Sequence, residues 1–336
     1  MRIVTFAPAL ALLASLGACA DGAQAPTAPT APIASSPTTA VVLGNEVTGG
    51  VQLKRPRIDV TNWIDDTKQL LGTLDLPAGS TGIGTGSAIL ITIPNEGRFG
   101  CTANFIWRQG TQLYLGAAGH CFVPAASKST HGAGADYDAS GVVVQVCVEG
   151  CEGNFRSSRL LGKFVTIGRV AYARQTDPTA TEDIGNDFGI VEIPASLAHL
   201  VRTAMPVWGS YSGAEFLGFG KFGCHYGNGL VAGETVLTKA RVGVGGGGDQ
   251  DFWQGDFAGA PGDSGSGLIS CESDGLGFKG VAAVGVLTHL GIGDGEVKIK
   301  GTKSRVEHGA IFGTTVRRAI EMAREAGLSI ALVDRL

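Results

Sequence analysis

Three separated stretches hold residue types able to transfer an acyl group. "PGDSGSG", residues 261–267, sets Ser264 among glycines. Gly, Pro, Asp and Ser are ordinary turn residues, so the stretch alone is either a polar turn or a platform for a nucleophile. A serine hydroxyl attacks a carbonyl only when a base removes its proton and donors receive the oxyanion. The question therefore passes to the histidines. His120 ends the apolar run "LYLGAAGHC", after small residues that let the backbone run close to another element and beside Cys121. His131 lies in a polar Gly/Ala loop, His199 follows a strand edge, and His225 and His308 stand in glycine-flanked turns. Those four are expected at the surface. The third member must be a buried carboxylate that orients the imidazole. "GNDFGIVEI" supplies Asp187 directly before an apolar strand, where an unpaired carboxylate would be costly. Asp177, Glu182 and Asp183 stand in the preceding polar loop and are expected in solvent.

The elements that must position these residues read as strands. Residues 87–94, 113–118, 142–148, 188–193, 230–242 and 280–290 are rich in Val, Ile and Leu and are punctuated by Gly, Pro, Asn and Asp. No helical period separates them, which points to antiparallel barrels or sandwiches in an all-β fold. One helix is expected near the end, in "TTVRRAIEMAREAG". There Val316, Ile320 and Ala323 share a face, Thr314 or Thr315 can cap the start, and Gly327 can end it. "GIGTGS" (82–87) is followed by a β-like run, so it lacks the helix a dinucleotide loop needs. "GVGGGGD" (243–249) reads as a flexible loop.

Composition narrows the function classes. The 336 residues include 53 glycines, 17% are charged, and the formal net charge is −4. Without a basic excess, nucleic acid is not an expected partner. Residues 1–20 form a targeting segment, with Arg2 before an apolar run too short to span a bilayer. "LGAC" marks Cys19 as the lipidated first residue of a lipoprotein, and cleavage after Ala20 is the alternative. Residues 21–40 form a Pro/Ala/Thr tether, and 41–78 are a pro-segment or an N-terminal extension. Without Cys19, six cysteines remain, an even number that suits an exported, disulfide-bonded protein. Cys147 and Cys151 have no second closely spaced Cys/His pair, so no metal and no other cofactor is expected.

Together, "AAGHC", "NDFGIV" and "GDSGSG" resemble the chymotrypsin/trypsin-like serine peptidase family, in the family's order of His, Asp and Ser. The resemblance covers roughly residues 80–327, with Gly119 standing where the family usually has Ala. It implies two antiparallel six-stranded β-barrels and a C-terminal α-helix in a domain spanning 79–336. Barrel one would take about 79–200, and barrel two with the helix about 201–330. It implies an exported serine endopeptidase acting on polypeptides as a monomer in the cell envelope or outside it. His120 would be the base, Asp187 its partner, Ser264 the nucleophile, and the N–H groups of Gly262 and Ser264 the oxyanion hole. The resemblance also implies disulfides Cys101–Cys121, Cys147–Cys151 and Cys224–Cys271. Asp263 would pair with a released N-terminus in many members, yet no clear activation sequence is present, so constitutive folding is expected here. Ala258 would floor the specificity pocket, Thr288 would lie near Asp187, and His289 and Leu290 would flank the substrate. An uncharged floor implies cleavage after small or apolar residues, with Asp256 read as a solvated loop carboxylate and "KIKGTKSR" (298–305) as a hairpin face. The competing expectation is a catalytically silent peptidase-like binding protein.

Overall fold

A computed structural model of the protein describes residues 82–123, 139, 141–154, 159–175, 184–231, 234–235, 240–259, 262–273, 278–290, 295–298 and 305–336, with short strands at Val47–Thr48 and Val51–Gln52. The targeting segment, the tether, most of 41–78, most of 298–305, and the loops carrying His131, Asp177, Glu182 and Asp183 lie outside the described residues.

The first half holds eight longer strands. They are β1 (Ala88–Ile93), β2 (Gly97–Thr102), β3 (Ile106–Gln109), β4 (Gln112–Ala117), β5 (Val143–Asn154), β6 (Arg159–Thr166), β7 (Val170–Gln175) and β8 (Asp187–Ile193). In β1 the buried Ile89, Ile91 and Ile93 alternate with half-buried Leu90 and Thr92, the period of a strand with one face on a core. The strands hydrogen-bond as two antiparallel sheets. One runs β2-β1-β5-β6 and the other runs β7-β8-β4-β3, and both contribute to one apolar core that includes Ile89, Val146, Trp107 and Phe188. In the second sheet Gly189 of β8 lies opposite Ala117 of β4, so Asp187 begins its strand beside the turn that follows Ala117.

The second half closes on itself. Strands β9 (Phe222–Tyr226), β10 (Ala240–Gly248), β11 (Phe252–Gly259), β12 (Gly267–Ser273), β13 (Phe278–Leu290) and β15 (Arg305–Thr315) pair antiparallel in the ring β11-β10-β9-β12-β13-β15, and β15 returns to β11. Strand β14 (Gly295–Lys298) adds to β15 outside this six-stranded barrel. Two large side chains, Trp253 and Phe257, fill its interior and determine its composition. A Cβ at Gly243 would lie 2.4 Å from the Phe257 ring, and one at Gly313 would lie 2.6 Å from the Trp253 indole nitrogen. "GVGGGGD" is therefore mostly barrel strand and not a flexible loop, and its Gly243 makes room for the Phe257 ring on the neighbouring strand.

Three further expectations change here. The single strand read over 230–242 is divided into Leu230–Val231, Glu234–Thr235 and the start of β10. His225 and His308 belong to β9 and β15 instead of turns, and His225 is fully buried. Asp256 lies within β11 between Val244 and Ala310.

The helix α1 (Val316–Glu325) follows β15 directly. Thr315 is its cap, its Oγ1 accepting the Arg318 N–H at 3.0 Å, and Gly327 follows its end with φ +82°. Val316, Ala319, Met322 and Ala323 face the core while Ile320 is only half buried. Strand β16 (Ala331–Val333) then crosses back to pair with β3, so the chain's end belongs to the first half.

Candidate active site

His120 occupies a single turn of 3₁₀ helix, Gly119–Cys121, immediately after β4. The turn is wedged against β7, since a Cβ on Gly119 would fall 2.0 Å from the Arg174 carbonyl oxygen. That contact explains glycine at a position where alanine is usual in the family the sequence resembles. A disulfide between Cys121 and Cys101 fixes the other side of the turn. His120 and Asp187 are 4% and 1% exposed, and they meet twice. The His120 N–H donates to Asp187 Oδ1 at 3.0 Å, and His120 Nδ1 lies 2.6 Å from Oδ2.

Burial alone would raise the Asp187 pKa, but the adjacent imidazole and its hydrogen bonds outweigh it, with a smaller contribution from His289. The carboxyl is held below its ordinary range and stays ionised. An ionised carboxylate only accepts, so Nδ1 of neutral His120 carries the proton and Nε2 keeps the basic lone pair. Among the described residues, Cys101, His120 and Cys121 form the one Cys/His/Asp/Glu group close enough to hold a metal, but its two sulfurs are bonded to each other.

Ser264 is carried by the turn between β11 and β12, 2% exposed. Gly262 and Gly265 both take left-handed φ values, +97° and +90°, which glycine adopts without strain. At Gly265 the close approach adds a second requirement. A Cβ there would lie 2.4 Å from the Thr102 carbonyl oxygen and 2.8 Å from the Ala118 nitrogen. The serine turn thus packs on the segment that leads into His120, and Cys121 Sγ lies 3.8 Å from the Ser264 carbonyl oxygen. The turn's own hydrogen bonds use the N–H of Gly265, to Leu287 O at 2.7 Å, and of Ser266, to Asp263 O at 2.9 Å.

Behind the turn, Asp263 is fully buried and forms an ion pair with the equally buried Arg241 of β10. Its Oδ1 also accepts the Gly229 N–H at 2.8 Å. The side chain that the resemblance would pair with a released N-terminus thus has an internal cation for a partner. On the first-half side, Arg318 of α1 donates from Nε and Nη2 to Asn186 Oδ1 at 2.9 and 2.6 Å, holding the residue before Asp187.

The specificity residues are only partly described. The side chains of Ala258 and Leu290 lie outside the described residues. Thr288 is buried, with its Oγ1 2.8 Å from His289 Nδ1 and 3.4 Å from the Phe312 carbonyl oxygen. The other two disulfides join Cys147 to Cys151 and Cys224 to Cys271, so all three pairs are those the resemblance implies. Sequence reasoning missed Arg241, Thr102 and Thr314. Arg241 follows Lys239 by two residues in "LTKARVGV", so its charge alone did not single it out.

The described residues thus form a mainly β arrangement in which the His–Asp pair belongs to one half and the serine turn to a six-stranded barrel in the other. No family model matches the chain, and no curated protein matches it. Solved structures that are similar include the protease Anisep from Arthrobacter nicotinovorans, 13% identical, covering 74% of this chain and 97% of that one at a TM-score of 0.44. The thermostable serine protease AL20 from an extremophilic microorganism is 14% identical, covering 71% and 93% at a TM-score of 0.41. A scabies mite inactivated protease paralogue is 16% identical, covering 73% and 98% at a TM-score of 0.39. At these levels the likenesses carry no argument about activity, and an inactivated protein stands among them.

Proposed function

We propose that this protein is an exported serine endopeptidase that cleaves polypeptides through an acyl-enzyme. Ser264 Oγ attacks the scissile carbonyl while His120 Nε2 takes its proton. The ionised Asp187 accepts the Nδ1 hydrogen bond and stabilises the imidazolium that results. The N–H groups of Gly262 and Ser264 receive the oxyanion. His120 returns the proton to the leaving amine, and a water activated in the same way releases the acyl group. The observation that carries this reading is the buried 2.6 Å contact between His120 and Asp187, on the segment against which the Ser264 turn packs.

Ser264→Ala should abolish peptide cleavage without changing the thermal melt. His120→Ala should be nearly as damaging, leaving a residue of order 10³–10⁴ over the uncatalysed rate. Full turnover by either variant would refute the assignment. The uncharged Ala258 supports cleavage after small or apolar residues, because a buried unpaired cation is costly. A peptide library cleaved mainly after Arg or Lys would contradict that preference. The targeting segment supports export, with a lipid on Cys19 as the anchor. Cys19→Ser should then move the protein from membrane to soluble fractions, and an unchanged distribution would favour cleavage after Ala20.

A further inference from the structure

Two of the three chemistry-bearing segments, the Ser264 turn and Asp187, are each gripped by a buried threonine from the opposite half. Thr102 ends β2 in the first half and is fully buried. Its Oγ1 donates to the Gly262 carbonyl at 2.9 Å, and its N–H donates to the Ser264 carbonyl at 2.9 Å. The same Oγ1 accepts the Asn228 N–H at 2.9 Å, which orients the hydroxyl hydrogen toward Gly262. Thr314, near the end of β15 in the second half, is also fully buried. Its Oγ1 donates to the Asp187 carbonyl at 2.9 Å and accepts the Asp187 N–H at 3.2 Å.

We infer that Thr102 and Thr314 are positioning residues that register the two halves on each other at the active site, Thr102 holding the oxyanion turn and Thr314 the backbone of Asp187. The inference rests on the peptidase reading above. The peptide joining Asp263 to Ser264 carries one oxyanion donor, the Ser264 N–H. Its plane is set by the Asp263 carbonyl, which accepts from Ser266, and by the flanking carbonyls of Gly262 and Ser264, both held by Thr102. Gly262 has no side chain to restrict it, so its conformation needs such an external hold. Across the interface, Asp187 is the first residue of β8, where ladder hydrogen bonds begin, and one hydroxyl satisfies both its backbone groups. The two grips run in opposite directions between the halves, so a relative shift strains both at once. Displacements near 1 Å can cost about a hundredfold in rate.

Thr102→Val and Thr314→Val remove the hydroxyls at nearly constant volume. The readouts are kcat and KM on a cleaved peptide and the labelling rate of Ser264 by a fluorophosphonate. Each valine variant should lose about 10- to 100-fold in kcat and labelling rate with KM nearly unchanged. Thr102→Ser and Thr314→Ser, which restore the hydroxyl, should recover most of it. Thr85→Val serves as the control. It removes an equally buried hydroxyl, bonded to Thr203 O and near Tyr211, and should lower the melting temperature without changing kcat. Where a valine variant does not fold, the alanine variant replaces it, with the same loss expected. Folded variants with wild-type kcat and labelling would overturn the inference while the peptidase reading stood. A wild-type protein that neither cleaves nor labels would overturn the peptidase reading itself.

Discussion

The His120–Asp187 pair stands beside a disulfide-closed turn and aliphatic strands, whereas the Ser264 turn stands on a buried ion pair. On the first-half side a disulfide closes at Cys121, β-branched strands pack beneath, and the Asp187 carboxylate meets the His120 imidazole and the His120 N–H. On the second-half side the serine turn stands on a buried Arg241–Asp263 pair and on glycines that allow contact at backbone distance. The difference teaches where each half is vulnerable. Reduction should loosen the histidine platform, and loss of one charge should collapse the serine turn.

The largest effect should follow Arg241→Met. Removing the cation leaves the Asp263 carboxylate buried and uncompensated, which costs about 3–5 kcal/mol. Combining it with Asp263→Asn should recover part of that stability in urea or guanidinium titrations. A single variant as stable as wild type would remove the ion pair from the account.

An intermediate effect is expected for Cys101→Ser with Cys121→Ser. The bridge spans a sequence separation of 20 residues, so its loss should cost about 3 kcal/mol by the chain-entropy argument. Activity should fall more steeply with temperature than for wild type, because the His120 platform loosens before the barrel does. Identical temperature profiles would show that the aliphatic packing alone holds His120.

The smallest effect is read in how stability changes with pH. The folded pKa of Asp187 lies below its unfolded value, so the ionised group stabilises the native state above about pH 4. That contribution is lost as pH falls through the lowered folded value. Asp187→Asn should therefore be less stable at neutral pH and show a shallower loss of stability below about pH 4. Parallel wild-type and variant curves across that window would contradict the paired, ionised Asp187.

What could be read from the sequence divides along the same line. The first-half strands are written in alternating Ile and Val, and the His, Asp and Ser stretches are local, so both were visible. The glycine-rich strand β10 of the second barrel was not, because glycine is normally a loop signal and only the Phe257 ring on the neighbouring strand explains Gly243 there. Thr314 shows the other limit. Helix-capping chemistry made it a candidate equal to Thr315, and only the partner 127 residues away separates their roles. The Thr102 grip likewise joins groups 160 residues apart, a distance at which composition and spacing carry no signal.

The central claim is that Ser264 is a nucleophile activated by His120. Its most direct test is to treat the folded protein with a fluorophosphonate and map the adduct by mass spectrometry. The account predicts one adduct, on Ser264, formed at a rate that collapses in His120→Ala. An unlabelled wild-type protein, or an adduct on another residue while Ser264 stays free, would contradict it.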